Sequence, residues 1–313
     1  MKVLYVVSGN KRKISPISYN QYKSIKPLLT SSDIYMVVGK GIVGYIKNIP
    51  SLRRKIKEFN PDLVHAHYSL CGYIAAFAGP KHIIVSLMGS DTEKYYINII
   101  NELYLRTFWN HVIVKSNNQK NKLSRINNIS IIPNGVDIEK YEYIPKVTAQ
   151  NKVGFDSSHR NLLFLANPER KVKNVRLAKE AVKIINNEKV VLNVVYDISY
   201  DEVNNYLQAA DVLLLTSKYE GSPNTIKEAM AANCPIVSTD VGDVRWVLGN
   251  TKGCYIASYD AHDIAEKINM ALEYSEKYGR TNGIERILKL GLDSDSVAKR
   301  IKDLYVKVIQ NSK

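Results

Sequence analysis

Short runs of apolar residues alternate with longer stretches of helical periodicity along most of the chain. This alternation is typical of an α/β protein in which helices cover parallel sheets. The first half contains six candidate strands, at residues 3–7, 34–38, 63–66, 83–87, 112–114 and 129–132. The second half contains four, at residues 162–165, 192–195, 212–215 and 235–238. Each half therefore has its own set of strands.

Two sets of strands predict two domains. At about 100 to 200 residues per domain, 313 residues suffice for two domains with separate cores, and we expect a cleft between them. Residues 137–158 are polar and contain Pro145 and Gly154, which predicts a linker. The expected division is an N-terminal domain over residues 1–145, a second domain over 150–295 and a C-terminal helix over 296–313.

Capping residues locate two helix starts in the second half. Ser199 and Glu202 form a capping box, in which the hydroxyl and the carboxylate satisfy each other's free backbone amides. After the strand at residues 212–215, a loop leads to Ser222, which can act as N-cap, and to Pro223, which fits the first helical position. The pattern there predicts a strand, a loop and a helix start.

Composition excludes several classes of protein. With 45% apolar residues, 16 Gly and 3 Cys, the chain is not disordered, collagen-like or a disulfide scaffold. Cys71, Cys234 and Cys254 are odd in number and widely spaced, so a reducing cytoplasm fits best. The first apolar run is too short for a signal peptide, and no run of about 18 uncharged apolar residues predicts a membrane span.

Positive charge is concentrated at the start of the chain. The net charge is +14, and residues 1–60 hold 12 basic and 2 acidic residues, a net of +10. Such a field attracts phosphates, anionic lipids or nucleic acid, although a solvated basic surface is the simpler alternative. Because no recognition motif or aromatic platform accompanies the charge, we do not expect nucleic-acid binding.

The helix start near Pro223 has a chemical use. At the carboxyl end of a parallel strand, the free amides of Asn224 and Thr225 and the positive end of the helix dipole can bind a diphosphate without a metal. Glu220 precedes the helix, and Glu228 lies eight residues later, where its carboxylate could reach the hydroxyls of a ribose. The alternative is a capped helix with two solvated glutamates.

Residues 209–243 (AADVLLLTSKYEGSPNTIKEAMAANCPIVSTDVGD) resemble the signature of the family 4 glycosyltransferases, which are retaining enzymes of the GT-B fold. Shorter matches precede this segment, in the order typical of the family, at residues 61–67, 86–91, 112–116, 132–137 and 173–174. The resemblance thus covers nearly the whole chain. It implies two Rossmann-like domains with a cleft between them, and a C-terminal helix that packs back on the N-terminal domain.

Carried over position by position, the resemblance implies a donor site in the second domain. Glu220 would be the catalytic residue and would face the donor sugar, Glu228 would hold the ribose, and Lys173 would contact the phosphates. The other donor-binding residues would be Gly221, Ser222, Pro223, Asn224, Thr225, Asn167 and Arg170.

One departure from the family pattern lies beside this lysine. The family usually has an Arg five or six residues before it, but this chain has Pro168 and Asn167 there. Arg170 or Lys171 could take over the role of that Arg, and the sequence does not distinguish the two.

On the acceptor side of the cleft we expect Gly9 and Asp91. Many family members carry a His in the first-domain loop where this chain has Met88, so a histidine contact to the sugar is not assumed. For an Asp in this position, helix N-capping is the commoner role.

Two residue pairs raise the question of a metal. His65 and His67 share one face of a strand, but no third ligand is evident, and packing near the strand end is the preferred interpretation. Asp293 and Asp295 resemble the metal-binding carboxylates of a different glycosyltransferase fold, but they precede a helix and suit capping better. We therefore expect no cofactor and no required metal.

The function implied is transfer of a sugar from a nucleotide diphosphate donor to a glycan or lipid-linked acceptor, with retained anomeric configuration, as in cell-surface polysaccharide synthesis. Two alternatives are a catalytically silent GT-B protein that binds nucleotide sugars and a GT-B sugar-nucleotide epimerase. The expected location is the cytoplasm, with peripheral attachment to the anionic inner face of the cell membrane as a hypothesis. The candidate basic residues for that attachment are Lys11, Arg12, Lys13, Arg53, Arg54, Lys55 and Lys57.

Overall fold

The structure is a computed structural model, and it describes residues 1–9, 13–123 and 127–311. The chain forms two compact units. Unit 1 comprises Met1–Gly135 and Ser294–Lys313, and unit 2 comprises Val136–Asp293. Within the described ranges, no helix is both long and apolar enough to cross a lipid bilayer.

Each unit is built on one parallel sheet. The strands of unit 1 are β1 (Lys2–Ser8), β2 (Ser31–Val37), β3 (Leu63–His67), β4 (Ile83–Ser86), β5 (His111–Val114) and β6 (Ile129–Ile131). Those of unit 2 are β7 (Arg160–Leu165), β8 (Val190–Val195), β9 (Val212–Leu215), β10 (Ile236–Thr239) and β11 (Cys254–Ala257). The spatial orders are β2-β1-β3-β4-β5-β6 and β11-β10-β9-β7-β8. All ten predicted strands are present, whereas β11, a short and partly exposed edge strand, was not predicted.

Helices connect the strands and cover the sheets. In unit 1, the helices before residue 136 are α1 (Pro16–Ile25), α2 (Gly41–Ile46), α3 (Ile49–Phe59), α4 (Ser69–Ala78), α5 (Tyr95–Thr107) and α6 (Asn117–Asn121). Unit 2 contains α7 (Lys146–Val153), α8 (Val175–Ile185), α9 (Val203–Ala209), α10 (Asn224–Ala231), α11 (Val244–Leu248), α12 (Ala261–Tyr278) and α13 (Gly283–Lys289). The chain ends in α14 (Ser294–Gln310), which belongs to unit 1.

The sheet of unit 1 is buried on both faces. Along β1, Tyr5 and its alternate neighbours face one core, and Leu4 and Val6 face the other. Double burial explains why the strands appear in the sequence as continuous apolar runs instead of alternating ones. In unit 2 the same division separates Leu163 from Leu162.

Helix α14 packs on the unit 1 sheet, as the resemblance implied. Ile301 and Tyr305 are fully buried in the same core as Tyr5. The Tyr305 and Tyr5 hydroxyls are 2.7 Å apart, and the Tyr305 hydroxyl lies 2.5 Å from Nδ1 of His65. The end of the chain is therefore joined to the sheet by apolar packing and by buried hydrogen bonds.

Residues 137–158 are not an extended linker. Tyr141 and Ala149 are buried in unit 2, and helix α7 packs against α9. The polar composition of this segment belongs to its exposed face, while a few apolar side chains fix it to the core. The capping box of Ser199 and Glu202 is confirmed, with the Ser199 amide donating to Glu202 at 3.0 Å.

The Tyr305 hydroxyl tests the docking of α14. We expect Tyr305→Phe to lower the free energy of unfolding by about 1 to 3 kcal/mol, because two buried polar groups lose their partner. Urea denaturation followed by circular dichroism would measure it. Tyr278→Phe, at an exposed tyrosine, is the matched control. Equal effects of the two substitutions would contradict a role of the Tyr305 hydroxyl in the docking of α14.

Candidate functional site

Two predicted residues of the donor site, Lys173 and Glu220, and two further side chains, Tyr200 and Asp243, follow the carboxyl ends of four parallel strands. Lys173 follows β7, Tyr200 follows β8, Glu220 follows β9 and Asp243 follows β10. Because these strands pair in parallel, their carboxyl ends lie at one edge of the sheet. This edge is where open α/β sheets bind their ligands.

Lys173 and Glu220 form an ion pair at this edge. Lys173 Nζ lies 2.6 Å from Glu220 Oε1, and the Ser217 hydroxyl donates to the same oxygen at 2.8 Å. The two charged side chains are only 15% and 17% exposed. The structure thus brings the predicted phosphate-binding lysine into contact with the predicted catalytic carboxylate.

Hydrogen bonds from the segment after β9 hold the lysine loop in place. The Thr216 hydroxyl donates to the carbonyl of Lys173 at 3.2 Å and to that of Asn174 at 3.0 Å. The amide of Lys218 donates to the Val172 carbonyl at 2.8 Å. These bonds fix the Lys173 backbone against the segment that leads to Glu220.

The loop after β10 supports Glu220 from another side. Gly242 has a φ of +62°, and a Cβ there would lie 2.6 Å from the Gly221 carbonyl oxygen. Only glycine permits this close approach without strain. The Thr239 hydroxyl also donates to the Ser217 carbonyl at 2.8 Å. The motif glycine therefore allows two site loops to pack together.

The prediction that Ser222 caps helix α10 is wrong. The N-cap is Pro223, without a side-chain cap, and the helix begins at Asn224. The Ser222 hydroxyl is engaged elsewhere, because it donates to Asp243 Oδ2 at 2.7 Å and accepts from Lys227 Nζ at 3.0 Å. Asn224 Oδ1 is buried and has no hydrogen-bond partner among the residues that the structure describes.

Glu228 is buried and is not one of the solvated glutamates of the alternative interpretation. Its carboxyl group lies near the side chain of Tyr200, whose hydroxyl accepts from Tyr141 at 3.4 Å. Burial raises the pKa of Glu228 to about 7, and the neighbouring Lys227 opposes that increase. The carboxyl group therefore titrates near neutral pH.

Lys227 is a site residue that the sequence analysis missed. It is 1% exposed, and besides Ser222 it has the charges of Asp243 and Glu228 nearby. Burial lowers its pKa to about 8. The available signal was a lysine within the family motif, directly before a predicted ligand-binding glutamate.

Asn167 and Arg170 lie on the turn between β7 and Lys173. The Asn167 side chain accepts a hydrogen bond from the Glu169 amide at 2.8 Å, and its carbonyl accepts from the Arg170 amide at 3.2 Å. The carbonyl of Arg170 in turn accepts from the Lys173 amide at 2.8 Å. The Arg170 side chain is exposed, and the residue contributes to the site through the backbone turn that precedes Lys173.

The predicted acceptor-side residues lie in unit 1, after β1 and β4. Gly9 donates its amide to the Val37 carbonyl at 2.8 Å. Asp91 is buried and accepts from the amides of Met88, Gly89 and Ser69 at 2.8, 2.9 and 3.1 Å. Ser69 is the first residue of α4, so Asp91 satisfies an amide at the start of another helix. Burial raises its pKa, and these hydrogen bonds oppose that effect.

His65 and His67 are packed inside unit 1, with ring centroids 4.5 Å apart. The Nε2 atom of His65 lies 2.9 Å from the Ser86 hydroxyl. Burial lowers the pKa of His67 to about 3. In the described part of the chain, no group of three or more His, Cys, Asp or Glu side chains is arranged to hold a metal ion. Asp295 lies in the first turn of α14, where a carboxylate complements the helix dipole.

Two family models match the chain. The model described as "Glycosyltransferase Family 4" matches residues 28–140, and the model described as "Glycosyl transferases group 1" matches residues 192–283. The second match contains Glu220, Lys227 and Glu228. The first match lies in unit 1 except for its last five residues, 136–140, and the second match lies wholly in unit 2.

Two curated relatives are 24% and 23% identical to the chain over the aligned residues. TuaC of Bacillus subtilis, named as a candidate glycosyltransferase of teichuronic acid biosynthesis, is 24% identical over 68% of this chain and 62% of its own length. The chain thus spans less than two thirds of that relative. The Escherichia coli UDP-Gal:alpha-D-GlcNAc-diphosphoundecaprenol alpha-1,3-galactosyltransferase is 23% identical over 85% of this chain and 80% of its own length.

Among solved structures, sucrose-phosphate synthase from Thermosynechococcus elongatus superposes with a TM-score of 0.83. The sequence identity is 14%, and the match covers 99% of this chain and 100% of that chain. At this identity the likeness concerns the fold alone, and it confirms the predicted architecture of two Rossmann-like domains.

The buried carboxyl group of Glu228 makes stability depend on pH. Because its pKa is about 7 in the folded state and 4.5 ordinarily, the folded protein binds the proton more tightly than the unfolded one. Stability from this group is therefore lost as the pH rises from about 4.5 to about 7. Glu228→Gln cannot ionise, so its unfolding free energy relative to the wild type should rise by about 1 to 3 kcal/mol between about pH 5 and pH 8.

Urea denaturation at the two pH values measures this difference. Glu188→Gln, at an exposed glutamate in the same unit, is the matched control and should show no such trend. A Glu228→Gln difference that does not change with pH would contradict a raised pKa.

Proposed function

We propose that this chain, which belongs to the family 4 glycosyltransferases, transfers a sugar from a nucleotide diphosphate donor to a glycan or lipid-linked acceptor with retained anomeric configuration. Unit 2 binds the donor, and unit 1 provides acceptor contacts. The proposal rests mainly on one observation, the Lys173–Glu220 ion pair at the sheet edge where helix α10 begins.

This arrangement suits the departure of a diphosphate. The bond between the anomeric carbon and the diphosphate oxygen breaks, and negative charge develops on the leaving group. The Lys173 ammonium and the amides at the start of α10 would stabilise that charge, because they are fixed before the reaction and partly shielded from water. The ion pair with Glu220 keeps the ammonium at the sheet edge.

Glu220 would orient the donor sugar, whose bond to the diphosphate breaks. Its carboxylate is fixed by Ser217 and Lys173, so its position does not depend on the ligand. The acceptor oxygen would approach the anomeric carbon on the face from which the diphosphate leaves, and its proton would pass to the departing diphosphate. In this scheme Glu220 positions and stabilises, and no covalent intermediate on it is required.

Glu228 would bind the ribose of the donor. Two neighbouring hydroxyls can donate to one carboxylate, and a buried carboxylate gains more from such bonds than an exposed one. Tyr200 lies near the Glu228 side chain, and the positive charge of Lys227 favours its ionised form. Ser222, Asn224 and Thr225 complete the donor contacts that we propose.

The acceptor is proposed from the charge of unit 1 and from one relative. The Escherichia coli relative is named for a diphosphoundecaprenol acceptor, which is a lipid-linked anionic substrate. The net charge of +10 in residues 1–60 would attract such a substrate and the anionic membrane that contains it. We therefore propose that the protein works in the cytoplasm at the inner face of the cell membrane.

Donor binding tests the site directly. Lys173→Ala and Glu228→Ala should each weaken binding of uridine diphosphate by about 1 to 3 kcal/mol. Uridine diphosphate is the nucleotide part of the donor that the Escherichia coli relative's name gives. Each substitution removes a charge-assisted hydrogen bond to the ligand. Glu220→Ala should largely keep the affinity but lower the rate at which uridine diphosphate is released from donor and acceptor. Calorimetry and a coupled release assay give the two quantities.

Lys179→Ala and Glu188→Ala are the matched controls, because both side chains are exposed in unit 2. If Lys173→Ala and Glu228→Ala both keep full affinity while circular dichroism shows an intact fold, the donor site is placed wrongly. A wild type that binds the donor but never releases uridine diphosphate would favour the catalytically silent alternative.

We also propose that catalysis needs no divalent cation, since Lys173 and the α10 amides provide the positive charge. An excess of EDTA should leave the rate of uridine diphosphate release within about twofold of its original value, given that one such charge contact is worth severalfold or more. A loss of activity that magnesium or manganese restores would overturn this proposal and return attention to Asp293 and Asp295.

A further inference from the structure

Helix α5 in unit 1 buries two asparagines and exposes a stripe of apolar residues. Asn98 and Asn101 are buried, and their amide groups donate to the Thr92 and Asp91 carbonyls at 3.0 and 2.9 Å. Ile99 and Leu103, on the opposite side, are 52% and 56% exposed. The outward stripe of α5 comprises Tyr96, Ile99, Ile100 and Leu103, all exposed and one helical turn or less apart.

An apolar groove adjoins this helix. It has a volume of about 360 Å³, and its walls come from α2, α4 and α5. Phe77 and Tyr104 line it, and their rings pack on the exposed Phe108 with centroids 6.3 and 5.4 Å away. On its α2 side, Ile42 and Ile46 are exposed. We call the α5 stripe, the groove and the outer residues of α2 the apolar surface of unit 1.

Basic residues border the apolar surface. Between residues 40 and 57 there is no acidic residue, and the basic ones are Lys40, Lys47, Arg53, Arg54, Lys55 and Lys57. Lys40 and Lys47 flank α2 directly. The Arg53 guanidinium donates to the carbonyl of Phe77 at 2.6 Å, which places a positive charge at the groove.

The structure changes the set of basic residues expected at a membrane. Lys55 forms an ion pair with Asp33, so its charge is partly neutralised. Lys11 and Arg12 lie outside the described residues. Lys40 and Lys47, which were not among the candidates, lie closest to the apolar residues of α2.

We propose that the apolar surface of unit 1 inserts into the headgroup region of an anionic lipid bilayer. The inference rests on the proposed function only in that a lipid-linked acceptor would be reached at such a surface. Exposed apolar side chains bordered by lysine and arginine are the pattern of proteins that bind the membrane interface, where the basic residues contact lipid phosphates. A second copy of this chain fits less well, because its own basic border would face like charges.

Insertion predicts binding that charge alone would not give. Attraction between exposed charges is screened at high salt, whereas burial of apolar side chains in lipid is not. We therefore expect binding to vesicles of phosphatidylglycerol and phosphatidylcholine to increase with the anionic fraction and to persist in part at about 0.5 M salt. Binding by charge alone would disappear under those conditions.

The test uses co-sedimentation of the full chain with these vesicles. Ile99→Ser with Leu103→Ser should lower the partition coefficient by about tenfold or more and remove the salt-resistant part, because two exposed apolar side chains no longer insert. The matched control is Val147→Ser with Leu288→Ser, two exposed apolar residues of unit 2, which should bind like the wild type.

A readout of the donor site separates this inference from the proposed function. Both double variants should keep the wild-type thermal shift with uridine diphosphate, which also shows that they are folded. If the wild type ignores anionic vesicles but binds uridine diphosphate, the membrane inference fails and the donor site stands. If sedimentation equilibrium shows a dimer that Ile99→Ser with Leu103→Ser dissociates, and vesicles are not bound, the apolar surface is an interface between copies and the proposal is overturned.

Discussion

Parallel strand pairing in unit 2 brings the candidate site together. The carboxyl ends of β7, β9 and β10 lie at one edge, so the loops that carry Lys173, Glu220 and Asp243 meet there although 70 residues of chain separate the first from the last. Cross-loop hydrogen bonds from Thr216 and Thr239 then hold these loops in one arrangement. The Lys173–Glu220 ion pair depends on the parallel strand pairing and on these cross-loop hydrogen bonds.

Buried charge is the second constraint on the candidate site. Lys227 and Glu228 are adjacent in the chain and nearly inaccessible to water, with Asp243 and Ser222 beside the lysine. Isolated burial of either charge would be costly, so each depends on the others for compensation. The pKa values of about 7 and about 8 show that this compensation is incomplete.

Helix α5 of unit 1 shows the opposite distribution of polarity along part of its length. Asn98 and Asn101 donate to carbonyls inside the unit, and Ile99 and Leu103 face outwards. Exposure of these apolar side chains to water is unfavourable, and contact with a lipid interface would remove them from water. The basic residues of α2 and α3 accompany this outward apolar stripe in unit 1, whereas unit 2 carries the buried charges of the candidate site.

The sequence by itself determined the α/β class, ten strands and the capping box at Ser199, because these depend on local periodicity and on short contiguous motifs. The roles of Glu220 and Glu228 stay predictions that rest on a contiguous motif. Tertiary structure alone decided the rest. The Ser222 hydroxyl bonds to Asp243 and Lys227 instead of capping α10. Residues 137–158 pack into unit 2, and β11 pairs with β10 as an edge strand. The outward apolar face of α5 likewise depends on contacts with distant residues. Hydrogen bonds and burial between residues far apart in the chain leave no periodic signal, so they could be found only in the folded structure.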